Sequence, residues 1–196
     1  MARGVQALKR SDGFTLIEVL LTVVVLGIAG ALVIPAMTQT GVLRVQAAVR
    51  TLVADITYVQ ADAIAFQSRR AIWFGKVPRW DSDAGAWTYV DGNGYVAAEV
   101  NGPTLDLTVN AMVNPDARAT PLARDFDLGQ FGGARLQTAQ FNDTSVLIFD
   151  ELGGPVEDLT GPSPGAGGSV EILSPDASFV ITVSPLTGRV GVTRAD

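Results

Sequence analysis

Carboxylates are the side chains best placed to do chemistry here, because the chain has no histidine and no cysteine. That excludes Ser-His-Asp and Cys-His nucleophiles, disulfides, and imidazole or thiolate metal centres. Glu18 is the most informative carboxylate, as the single charge within Phe14–Met37 (FTLIEVLLTVVVLGIAGALVIPAM). A carboxylate inside a membrane span costs about 2.5–3.5 kcal/mol, so it either has a function or lies close enough to the interface to snorkel. The other candidates are weaker. Asp150 and Glu151 have the types of an acid/base pair for glycoside hydrolysis, but adjacent strand residues point to opposite faces. Asp81-Ser82-Asp83-Ala84-Gly85 has the acidic start of a calcium loop. Its sixth and twelfth positions, however, are Ala86 and Gly92 instead of glycine and glutamate. Gly161–Gly168 is rich in glycine but lacks the Gly-Lys-Ser/Thr of a phosphate loop. Trp73, Trp80 and Trp87 read as sheet and core residues rather than a carbohydrate platform. No catalytic residue, metal ligand or cofactor is expected.

The elements that position Glu18 follow from where the apolar residues lie. The 196 residues are 47% apolar and 17% charged, a length suited to one domain with an appendage. Mean hydropathy is +0.29, and Phe14–Met37 supplies nearly all of it, so the remainder averages near zero as a soluble domain does. About 20 apolar residues span a bilayer core as a helix. Before this run lies a leader with Arg3, Lys9 and Arg10 against Asp12. Flanking positive charge stays on the cytoplasmic side, which puts the C-terminal part outside. The run is longer than the 7–15 residues of a signal-peptide core, although Ala29-Gly30-Ala31 and Ala36 mimic a cleavage site. The net charge of −6 disfavours nucleic acid as a partner.

After Met37, Val42, Val45, Val49, Leu52, Val53, Ile56, Val59 and Ala63 recur at steps of three and four, the pattern of one helix face. Arg44, Arg50, Asp55 and Asp62 fall largely off that face. One helix from about Thr15 to Ala65 is expected, kinked at Pro35 because proline removes a backbone donor and clashes with the preceding turn. Strands are expected at Ala71–Phe74 and Ala86–Val90 around an Asp81–Gly85 turn, and at Tyr95–Val100 and Leu105–Asn110. Further strands are expected at Arg135–Phe141, Ser145–Phe149, Ser169–Leu173, Ser178–Val183 and Arg189–Thr193. Asp91-Gly92-Asn93-Gly94 reads as a tight turn. Thr120-Pro121 reads as the cap of a short helix carrying Leu122 and Phe126. Residues 153–168 read as a loop. The fold class is α+β: a long N-terminal helix whose second half packs on an antiparallel sheet.

The string Gly13-Phe14-Thr15-Leu16-Ile17-Glu18-Val19-Leu20 (GFTLIEVL), placed directly after the basic leader, closely resembles the processing signal of type IV prepilins and type II secretion pseudopilins. That resemblance implies cleavage by a prepilin peptidase between Gly13 and Phe14, N-methylation of Phe14, and a role in assembly for Glu18. Glu18 lies four residues on, about 6 Å along the helix axis. In a staggered filament it would meet the Phe14 amine of a neighbouring subunit, so that two costly charges neutralise each other and set register. Pro35, twenty-two residues into the processed chain, falls where many members carry a helix-breaking proline. A second resemblance lies near the C-terminus. Val146–Pro155 (VLIFDELGGP), a strand ending in a Phe149-Asp150-x-x-Gly153-x-Pro155 turn, and Phe179–Val190 (FVITVSPLTGRV), with its Ser184–Val190 turn, together resemble the end of the H-type minor pseudopilins (the general secretion pathway protein H family) and related minor pilins. In the second segment Pro185 pre-sets a turn and Gly188 supplies a positive φ.

The implied organisation is a leader at 1–13, a transmembrane half-helix at 14–37, an amphipathic half-helix at 38–68 and a periplasmic β-rich domain at 69–196. The implied function is a non-catalytic minor pseudopilin of a type II secretion system, single-pass in a bacterial inner membrane. Its implied partners are the prepilin peptidase, other pilins or pseudopilins, the inner-membrane assembly platform and the lipid bilayer. The alternatives are a minor pilin of a type IV pilus, and a membrane-anchored enzyme.

Overall fold

The computed structural model describes residues 14–117, 119–131, 133–175 and 177–195, with the side chains of residues 31–42 excluded. The leader expected at 1–13 lies outside the described residues. Two compact units divide the chain, Met1–Gln39 and Thr40–Asp196.

Helix α1 (Leu16–Phe66) matches the expected helix to within a residue at each end. In the first unit its described large apolar side chains are exposed on every side, among them Leu16, Ile17, Leu20, Val24 and Ile28. In the second unit the helix is one-sided. Val45, Val49, Leu52, Ile56, Val59 and Ala63 are buried as expected, together with Ala48; Val53 is only partly buried, and the Val42 side chain lies outside the described residues. Gln67, in the left-handed region (φ 50°), ends the helix, and the Ser68 N–H donates to the Ala63 carbonyl.

Among the described residues, the rest of the second unit holds two antiparallel sheets rather than one. The first has five strands in the order β3 (Ala123–Asp125), β2 (Ala86–Glu99), β1 (Arg70–Asp81), β5 (Val146–Phe149), β6 (Pro155–Val156). The second has four, in the order β4 (Arg135–Phe141), β7 (Gly168–Ser174), β8 (Ala177–Val183), β9 (Val190–Ala195). The buried face of α1 shares one core with Ile72, Phe74, Tyr95 and Phe149 of the first sheet and Val170, Ile172, Ile181 and Val183 of the second. The opposite face of the first sheet carries Ala71, Ile148, Val96 and Ala98, and packs with Leu105, Leu107 and Leu159.

Four expectations give way here. Asp91-Gly92-Asn93-Gly94 is not a tight turn but lies inside β2. The register passes from Phe74↔Tyr95 to Lys76↔Asp91, so Gly92-Asn93-Gly94 bulges against Gly75 (φ 79°). These glycines answer to close packing. A Cβ on Gly92 would sit 2.4 Å from a Val77 methyl, and one on Gly94 2.0 Å from the Arg124 carbonyl oxygen. Asn93 bridges the bulge outward: its amide donates to the Ala134 carbonyl, and its oxygen accepts from the Leu136 N–H.

Leu105–Asn110 is not a strand but ends in helix α2 (Leu107–Asn110), capped by Asp106, whose carboxylate accepts from the Thr108 N–H at 2.9 Å. Thr120-Pro121 leads into strand β3, and a 3-10 turn follows at Gly129–Phe131. Leu122 and Phe126 are buried as core residues at either end of that strand. The 153–168 loop contains the short edge strand β6.

Candidate functional site

The first candidate site is the start of α1. Thr15 caps it: the Glu18 N–H donates to Thr15 Oγ1 (3.3 Å) and to the Thr15 carbonyl (3.0 Å), and the Val19 N–H donates to the same carbonyl (3.2 Å). A side-chain oxygen at this position satisfies a backbone donor that the helix leaves unpaired. Sequence reasoning missed this role, although Thr15-x-x-Glu18 is the spacing of a capping box. Glu18 lies in the first turn, where the helix dipole favours a negative charge. It is exposed and has no ion partner among the described residues. Phe14, 82% exposed, directly precedes the cap. Gly13 lies outside the described residues. Pro35 lies inside α1, with its side chain among those excluded. Among the described residues no helix is long and apolar enough to cross a membrane. The expected span, Phe14–Met37, is described with side chains only as far as Gly30.

The second candidate site is in the Thr40–Asp196 unit, where both C-terminal turn segments meet α1 at one side chain. Gln60 Nε2 donates to the Gly153 carbonyl (2.7 Å) and to the Thr187 carbonyl (3.1 Å). Asp150 organises the first turn. Its Oδ1 accepts from the Leu152 and Gly154 N–H groups at 3.0 and 2.8 Å, and its own N–H donates to the Gly154 carbonyl at 2.9 Å. At Gly153 (φ 82°) the turn leaves no room for a side chain, since a Cβ there would sit 2.7 Å from Ile64 Cδ1 of the helix. In the second turn the Gly188 N–H donates to the Ser184 carbonyl, and Gly188 has the positive φ expected of it, 63°. The two segments singled out in the sequence are thus physically joined, and Gln60 is the joint that sequence reasoning did not find.

A buried polar cluster was also missed. Asp55, taken to lie off the apolar helix face, is buried. It accepts two bonds from Arg124, from Nε to Oδ2 (2.8 Å) and from Nη2 to Oδ1 (3.1 Å), and one from the Tyr95 hydroxyl (2.7 Å). Burial, and Asp55 beside it, hold the Tyr95 phenol well above the usual tyrosine range. Hydrogen bonding to Asp55 raises Arg124 further. No buried polar atom of the cluster lacks a partner, so it ties α1 to β2 and to β3 beside it.

The remaining sequence candidates have structural work. Asp81 Oδ1 accepts from the Asp83 and Ala84 N–H groups and closes the β1–β2 hairpin. The Asp150 carboxylate is engaged by its own turn, and Glu151 faces Arg69 at 3.8 Å. Trp80 and Trp87 meet edge to face across β1 and β2 with centroids 5.2 Å apart, and Trp80 is exposed on the sheet rather than in the core. Trp73 packs with Lys76. Among the described residues, no three carboxylates converge as a metal site.

No curated protein matches the chain. A crystal structure of the type IV minor pilin FimU of Pseudomonas aeruginosa (strain PAO1) aligns over 76% of this chain and 87% of its own, at 17% identity and a TM-score of 0.44. Residues 8–34, which include Phe14, the Thr15 cap and Glu18, match the prokaryotic N-terminal methylation motif.

Proposed function

We propose that this chain is a membrane-anchored, non-catalytic filament subunit of the type IV pilin class, processed between Gly13 and Phe14 and methylated on Phe14. The observation that carries the reading is a helix start bearing the methylation motif, followed by apolar side chains exposed all round. A helix that is hydrophobic on every side needs lipid or other helices around it. Lipid before assembly and neighbouring subunits afterwards supply both environments in turn. Within that scheme Glu18 is the assembly residue. Cleavage leaves a cationic amine on Phe14, and Glu18 of an adjacent subunit neutralises it. Pro35 is the position at which α1 would adjust as subunits pack.

Within this class we favour an H-type minor pseudopilin of a type II secretion system, facing the periplasm. The Val146–Pro155 and Phe179–Val190 segments support this, since they resemble that family, and their turns share Gln60 as a common anchor. Partners would be the prepilin peptidase, other pseudopilins and the inner-membrane assembly platform. The test is Glu18→Ala. The variant should fold normally in its outer domain and fail to enter filaments, and normal incorporation would refute the pairing. Neighbouring genes separate the two filament types: a secretion secretin supports the pseudopilin, and a retraction ATPase supports a type IV minor pilin.

A further inference from the structure

The four-stranded sheet ends in an edge that its own fold leaves open. Exposed edges are normally shortened, bulged or covered. Strands β3 and β6 have three and two residues, and β4 carries a bulge between Leu136 and Thr138. Strand β9 presents six residues in unbroken register with β8, and no strand among the described residues pairs with its other side.

Alternate side chains of this edge, Val190, Val192 and Arg194, belong to the core face. Residues directly opposite in an antiparallel pair project to the same side. Val190 faces Val183, Val192 faces Ile181 and Arg194 faces Phe179. Val183 and Ile181 are buried under α1 at 2% and 0% exposure, yet Val192 is 46% exposed. The core face is therefore one strand wider than the helix covers. The uncovered part is a groove of about 490 Å³ lined by Val49, Arg50, Val53, Ala54, Phe179 and Val192.

Charge narrows the occupant. Arg50 and Arg194 are exposed and have no ion partner among the described residues. Among the described residues neither meets a carboxylate, although residues 38–196 carry 11 basic and 18 acidic side chains, a net −7. We infer that β9 and its groove form a docking site for an extended acidic segment of another polypeptide, which joins the sheet as a fifth strand. Main-chain bonds to the free edge supply affinity, and alternate side chains select the partner. Two apolar side chains of the added strand extend the Val190 and Val192 rows over the groove, and a carboxylate in the next row meets Arg194 and Arg50. A second copy pairing through its own β9 fits poorly, because Val190–Ala195 contains no acidic residue.

The test uses the full chain in detergent micelles and a labelled peptide, Ac-Thr-Glu-Thr-Val-Thr-Val-Thr-NH2. Bound antiparallel, it sets its glutamate opposite Arg194 and its valines opposite Val192 and Val190. Fluorescence anisotropy should show saturable binding. Affinity should fall at least about tenfold, or 1.4 kcal/mol, for the Arg50→Glu/Arg194→Glu variant and for a peptide carrying lysine in place of its glutamate. The reversed peptide and the reversed chain should restore binding to each other, which a variant damaged in folding would not do. N-methylation of alternate peptide amides should abolish binding. No saturable binding up to about 1 mM, indifference to charge reversal, or binding that survives N-methylation would each overturn the inference.

Discussion

Gly188→Ala should destabilise the outer domain by an amount set by the Gln60 joint. Two terms contribute. At φ 63° an alanine occupies the left-handed region, at about 1–2 kcal/mol. Its Cβ would also lie 2.4 Å from Gln60 Nε2, 2.5 Å from the Gly153 carbonyl oxygen and 3.0 Å from a Phe149 ring carbon. Overpacking of this kind costs about 1–3 kcal/mol. A total near 3 kcal/mol corresponds to a fall of about 6–12 °C in Tm for a domain of this size. Gln60→Ala alone removes two hydrogen bonds, for about 1–2 kcal/mol. The two changes are not independent, because the new methyl expels the Gln60 amide that the second mutation deletes. The double variant should therefore lose about 3 kcal/mol, leaving a coupling of about 1–2 kcal/mol between the sites. Urea unfolding of the full chain in detergent, followed by tryptophan fluorescence, measures all four corners of the cycle. Strict additivity, or a Gly188→Ala loss within about 0.5 kcal/mol of zero, would refute the claim that the joint holds the two turns together.

Asp55→Ala strips Arg124 of both its bonds and leaves the buried Tyr95 hydroxyl without a partner. Breaking a buried pair costs about 3–5 kcal/mol, and the partial exposure of Arg124 argues for the lower end, about 3 kcal/mol by the same urea assay. Because the folded-state pKa of Tyr95 is raised, its share of stability is intact below the ordinary tyrosine value of about 10 and is lost as pH rises above it. Unfolding curves between about pH 9 and 11 should show that decline, reduced in Tyr95→Phe. Gly94→Ala should destabilise by at least about 2 kcal/mol, since the contact it meets is the Arg124 backbone rather than a side chain that can move.

How far the fold could be read from sequence varied with the kind of signal. Helix α1 was legible because Val45, Val49, Leu52, Ile56, Val59 and Ala63 repeat at helical spacing, and all are buried. Strands β5, β7, β8 and β9 were legible as short apolar or alternating runs between turn residues, as were the alternating Arg135–Phe141 of β4 and, within the longer β1, only Ala71–Phe74. Asp91–Gly94 misled because glycine serves two needs, positive φ and close approach, and only the fold reveals that Val77 and the Arg124 carbonyl crowd this bulge. Leu105–Asn110 misled because Leu105, Leu107 and Val109 alternate like a strand, while the competing signal was one capping residue, Asp106. Asp55 was placed off the apolar face because its partners, Tyr95 and Arg124, lie 40 and 69 residues away. The motif at Gly13–Leu20 was legible throughout, since its information lies in local order. Gln60 was not, since an isolated glutamine in a helix gives no hint of the two carbonyls it will meet.

The central claim is a covalent one, and the mass of the mature chain tests it most directly. Intact-mass and N-terminal peptide measurement on protein from cells that contain a prepilin peptidase should give a 183-residue chain, residues 14–196, beginning with N-methylated Phe14. A leader still attached through Gly13, or a cut after Ala31 or Ala36 as a secretory signal would give, would contradict the account.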